Sequence, residues 1–183
     1  MGTLKAITLG QGTQNYTCTT SGATPVAIGA TATLFDASPF LELFPSPQEA
    51  MPFLDRLPEY LMWLLNIEAD LHADLLAQYR IPILGNHYFN AAGQPTFDVG
   101  STGLIVAKKV SGIPAPSTAC AGPPGMQNYG AVDWLKLQDV GTGVSRGLCQ
   151  VYRVETAGGK APPTCSQAGP IEIPYATLYW FYE

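Results

Sequence analysis

One stretch near the end of the chain constrains the fold more than any other. From Ile171 to Tyr182 it reads IEIPYATLYWFY, which puts Ile171, Ile173, Tyr175, Tyr179 and Phe181 on one side of an extended strand and Ala176, Leu178, Trp180 and Tyr182 on the other. Alternation at a period of two is the geometry of a pleated strand, and here both faces are apolar or aromatic. Either two layers bury this strand, or one face stays open and Trp180 and Tyr182, rings with a polar tip, stack on a ligand. A second strand precedes it. Residues 150–156 place Val151, Arg153 and Glu155 on one face and Tyr152, Val154 and Thr156 on the other, and the loop between the two is broken by Gly158-Gly159 and Pro162-Pro163.

The rest of the chain must supply sheet partners. Charged residues make up only 13% of the 183 residues, while 19 Gly and 16 Pro provide for many turns. That balance predicts a single loop-rich domain, residues 1–183, of all-β class: an antiparallel β-sandwich or barrel-like sheet. Strand-like segments occur at residues 4–18, 26–35, 104–110 and 130–137, and residues 85–89 and 94–98 flank a turn as a hairpin would. The exception is a helical insertion over residues 46–80. Ser46-Pro47-Gln48-Glu49 is a capping box with proline at the first helical position, and Pro52 and Pro58 limit the helix that it starts. From 58 to 80, Leu61, Leu64, Leu65, Leu71, Leu75 and Tyr79 recur at three and four residues. This stripe packs on the sheet, or on a second copy in a homo-oligomer if the sheet leaves it uncovered.

Several function classes are excluded. The net charge is −5 and the basic residues form no cluster beyond Lys108-Lys109, which does not suit nucleic acid. No apolar run reaches the length of a membrane-spanning helix. Gly10-Gln11-Gly12 is a lone GxG without the strand-to-helix setting of a dinucleotide site, so no cofactor is expected.

The chemistry-bearing residues are few. On the polar side of the helix Glu68 and His72, and likewise Asp70 and Asp74, lie four apart and could chelate a metal, but charged residues on the outer face of a helix are usually solvated surface and no metal site is expected. His87 and Asp98 would form an acid–base pair if their segments make a hairpin; the competing reading is a structural histidine bonded beside a turn. Cys18, Cys120, Cys149 and Cys165 lack CxxC spacing, which argues against zinc and for two disulfides. With the sequon Asn15-Tyr16-Thr17, a candidate glycosylation site, they point to an oxidising compartment. Met1-Gly2 runs directly into strand-like sequence with no signal peptide in view, as in a mature secreted chain carrying an added start residue.

Five ordered blocks carry a resemblance: GTQNYTC, NHYF with PTFD, GAVDWLKL, VYRVETAGGKAPPTC and PYATLYWFY. The chain resembles the secreted fungal proteins that carry a domain of unknown function, some catalogued as appressorium-associated and many bearing an inherited label of malate dehydrogenase. The resemblance covers most of the chain but not residues 45–80. It implies secretion, a compact β-rich domain and no established activity, and it implies the pairings Cys18 with Cys165 and Cys120 with Cys149. The dehydrogenase label does not suit a chain without a phosphate-cradling glycine turn.

Two functions are therefore expected. The first is a non-catalytic protein of the fungal surface or cell wall, binding a wall polysaccharide or a surface protein through Tyr88, Trp134, Trp180 and Tyr182. The alternative is a hydrolase or metal-assisted enzyme using His87 and Asp98.

Overall fold

The computed structural model describes residues 2–64, 81–123 and 129–183. Among these, eight strands follow in order: β1 (Leu4–Cys18), β2 (Val26–Asp36), β3 (Ile83–Phe89), β4 (Pro95–Asp98), β5 (Leu104–Ile113), β6 (Trp134–Asp139), β7 (Gln150–Gly158) and β8 (Gly169–Tyr182). Each pairs antiparallel with the next, and β1 closes on β8 along a seam from Leu4↔Tyr182 to Cys18↔Gly169. Of the two architectures that the composition allows, the chain adopts the barrel. Closure leaves no unpaired sheet edge, and an eight-stranded barrel is just wide enough to be filled by side chains or to hold one small ligand.

Among the described residues, three short helices lie between β2 and β3: α1 (Ser38–Leu41), α2 (Pro47–Leu54) and α3 (Leu57–Leu64). The capping box forms as written in the sequence. Ser46 Oγ donates to the Glu49 carboxylate at 2.9 Å and accepts from its backbone N–H, with Pro47 in the first turn. Pro52 sits inside α2 rather than ending it. The striped positions beyond Leu64, and Glu68, Asp70, His72 and Asp74, lie outside the described residues.

The helices explain why β8 is apolar on both faces. Leu54, Leu57, Leu61 and Met62 pack with Ile7 and Leu9 of β1 and with Ala176 and Leu178 of β8, forming a cluster on the outside of the barrel. Inside, Leu34, Phe97, Ile105, Leu137, Val151 and Phe181 belong to a second cluster, in which neighbouring strands contribute alternate residues. Leu178 and Phe181 are both inaccessible to solvent, one beneath the helices and the other within the barrel.

Cys18 and Cys165 are bridged, with Cα atoms 5.8 Å apart, which ties the end of β1 to the loop before β8. The second expected bridge is corrected: Cys120 and Cys149 are free thiols. Cys149 immediately precedes β7, whereas the carbonyl of Cys120 accepts from Gly158 N at the far end of that strand. A nine-residue strand at about 3.3 Å per residue holds them roughly 25 Å apart, far beyond the ~7 Å limit for Cα atoms of a disulfide.

Candidate functional site: an axial cavity in the barrel

The interior cluster fills only part of the barrel. The remainder is a cavity of about 390 Å³ to which every strand contributes, from Gln14 on β1, Ala30 on β2 and His87 on β3 round to Arg153 on β7 and Tyr179 on β8. Local sequence makes this room. Gly10 faces the ring of Tyr179, and a Cβ there would lie 2.6 Å from a ring carbon, so the absence of a side chain lets the ring lie against β1. Ala30 and Ala32 keep the β2 wall thin. Phe89, Phe97, Leu135, Leu137 and Ile28 give the cavity an apolar body, and Ile28 and Phe89 are exposed.

The polar groups are held in place by several separate hydrogen bonds. His87 is buried, its ring stacked on Phe97 with centroids 4.1 Å apart, and Nδ1 lies 3.0 Å from the Thr96 carbonyl. A carbonyl only accepts, so Nδ1 carries the proton and Nε2 keeps its lone pair. Burial lowers the His87 pKa to about 4, against the opposing effect of the Thr96 bond, so the imidazole is neutral at neutral pH. The hydroxyls of Tyr175 and Tyr179 meet at 2.9 Å, and burial pushes both phenols upward. Arg153 donates from Nε and Nη2 to the Asp133 carbonyl at 3.2 and 2.8 Å, which fixes the guanidinium. Gln14 is buried in the wall, and its Nε2 has no hydrogen-bond partner.

The proposed acid–base pair does not assemble. β3 and β4 do form a hairpin, but its register sets His87 opposite Phe97 and Asp98 opposite Asn86. Residues one step apart in register point to opposite faces of a sheet. His87 therefore lines the cavity, while Asp98 Oδ1 accepts from Gly100 N in the next turn.

The aromatic residues divide. Trp134, Trp180 and Tyr182 all lie on the outer face of the β6–β8 sheet, because Leu135 and Arg153 face the cavity and Tyr179 and Phe181 face inward. Trp180 packs against the helical cluster, and Tyr182 meets Tyr152 edge-on at 5.7 Å. Trp134 and Tyr152 share a shallow surface depression with Ile113 and Val154. Tyr88 is exposed on β3, away from the other three. Asn15 stands within β1, paired on both sides, and its Oδ1 accepts from Thr13 Oγ1.

Sequence reasoning missed Gln14, Lys109, Arg153 and Tyr179 as cavity residues. A signal was present. Arg153 shares a strand face with Val151, and a charge on the face that points into the barrel core needs a reason to be there.

Among the described residues, no helix is long and apolar enough to cross a membrane and no cluster of metal-ligating side chains occurs. Neither a curated protein nor a solved structure matches the chain. A family model described as "Protein of unknown function (DUF3455)" matches residues 1–183, the full length of the chain. The barrel and its axial cavity are thus carried by a chain that belongs to the DUF3455 family of proteins of unknown function.

Proposed function

We propose that the protein is a non-catalytic binding barrel that holds one small organic molecule in its axial cavity. The observation that carries this reading is the lining: every strand supplies it, and its apolar walls converge on a few fixed polar groups, the usual make-up of a ligand site. A binding role suits His87 better than proton transfer does, because no carboxylate among the described lining residues accompanies it and burial lowers its pKa to about 4, which makes it a weak base. The Cys18–Cys165 bridge favours an oxidising compartment, and with the resemblance it supports a secreted protein of the fungal surface or wall, with Asn15 as its glycosylation site.

The test is a fluorescence titration with phenylnaphthylamine, an uncharged apolar probe, against the wild type and Ala30→Leu. Saturable one-to-one binding that the filled cavity weakens at least tenfold is expected, with a rise in Tm at saturation in the wild type. Surface binding that is indifferent to Ala30→Leu, or no binding by any small aromatic probe, overturns the reading.

The outer aromatic face favours a second reading, the docking of a wall polysaccharide on Trp134, Tyr152 and Tyr182. A pull-down on chitin, β-glucan and cellulose tests it. Binding that survives Trp134→Ala with Tyr152→Ala removes that face from consideration.

A further inference from the structure

The character of the cavity's polar groups narrows the ligand, on the reading that the cavity is a binding site. The chain carries 14 Asp and Glu against 9 Lys and Arg, yet among the described residues the lining contains Lys109 and Arg153 and no carboxylate. The charge of this interior is therefore opposite in sign to that of the whole molecule. No described carboxylate lies within ion-pair distance of Lys109 or Arg153. The Asp133 carbonyl takes two of the five N–H donors of Arg153 and the Tyr179 hydroxyl engages another, which leaves part of the fork for a further acceptor. The other polar groups agree. Gln14 is nine-tenths buried in the cavity wall with an unpartnered amide nitrogen, a donor that lacks an acceptor. An unsatisfied buried donor carries a desolvation penalty, which an incoming acceptor recovers.

We infer that the cavity binds a small molecule with an apolar body and an anionic head, the body against Phe97, Leu135 and Leu137 and the head between Arg153 and Lys109. The apolar wall lowers the local dielectric and strengthens the contact between the head and the guanidinium. Lys109 is exposed, so it draws the anion in at the rim, and Arg153 holds it further inside. His87 remains an uncharged neighbour. Its free Nε2 accepts a hydrogen bond, which suits a hydroxyl on the ligand body rather than a second anion.

Two probes that share one ring system separate this inference from the reading on which it rests. Anilinonaphthalene sulfonate carries a fixed negative charge, and phenylnaphthylamine has the same rings without it. Wild-type protein is expected to bind the sulfonate at least tenfold more tightly at neutral pH and low salt, with each probe displacing the other. Raising the salt to molar concentration is expected to shrink that preference severalfold. Lys109→Met, at an exposed position that keeps the Arg153–Asp133 contact, is expected to weaken the sulfonate about threefold or more and leave the amine unchanged; adding Arg153→Met is expected to abolish the preference. Equal binding of the two probes overturns the anionic head while leaving the binding barrel intact, and so does tight sulfonate binding that the amine does not displace. Failure of both probes to bind removes the barrel reading itself.

Discussion

Because burial between Phe97 and Tyr179 strips the His87 imidazole of water, and outweighs the Nδ1–Thr96 bond that favours its charged form, the folded protein prefers it uncharged, and its pKa falls to about 4 from an ordinary 6.5. Between these values the unfolded chain binds more protons than the native state does, so stability rises with pH across that window. The contribution is fully present above about pH 6.5 and is lost as the pH falls toward 4, at about 3 kcal/mol in all. Equilibrium denaturation of His87→Phe from pH 4 to 7 is expected to show most of this slope removed; an unchanged slope would mean that His87 is not its source. Glu155 acts with the opposite sign. Burial and the neighbouring Asp55 raise its pKa to about 7, and its backbone takes a φ of 49° at the point where the β7–β8 register shifts. Its stabilising form is the neutral acid, fully favoured below about pH 4.5 and lost as the pH rises through 7. Glu155→Gln is expected to be more stable than the wild type above pH 7 and to converge with it below pH 4.5, as read by Tm at the two pH values.

At the scale of elements, the strands were legible because each carries its pattern locally. The alternation in residues 150–156 and 171–182 corresponds to β7 and β8, and the Gly85–Asp98 turn region corresponds to the β3–β4 hairpin. What no strand carries is its register. A single step between β3 and β4 decides that His87 enters the cavity and Asp98 does not, and that step is set by the whole sheet. The same limit applies to the cysteines. Cys18 and Cys165 meet because β1 and β8 are neighbours at that end, whereas the length of β7 keeps Cys120 from Cys149. A thiol titration of the native, unreduced protein is therefore expected to find two free thiols per chain, the exposed Cys149 reacting before Cys120. Finding none would restore the second bridge. Replacing Cys18 and Cys165 together by Ser is expected to cost about 2–4 kcal/mol in denaturant unfolding, since the bridge closes a loop spanning 147 residues. A cost near zero would mean that the β1–β8 seam already supplies all of that constraint.

Across the whole molecule, packing is uneven along the barrel axis. One end is filled by the interior cluster and sheathed by helices, and the other surrounds a cavity whose rim exposes Ile28 and Phe89. Local opening needs least free energy where apolar contacts are fewest. Backbone amides of residues 27–30 and of Gly93 are expected to exchange with solvent faster than those of residues 178–181, and a bound ligand to slow the first set selectively. Uniform exchange along β2 and β8 would argue against a soft, ligand-ready end.

The seam between β1 and β8 also governs the order of events in making the protein. Synthesis delivers β1 well before β8, so one edge of β1 waits for all the strands between them before its partner exists. Until then no barrel can close and Cys18 has no Cys165 to meet. Contacts so distant along the chain make for slow folding, and an unpaired fifteen-residue edge invites pairing with another copy. The most hazardous moment for this barrel is the interval just before β8 arrives.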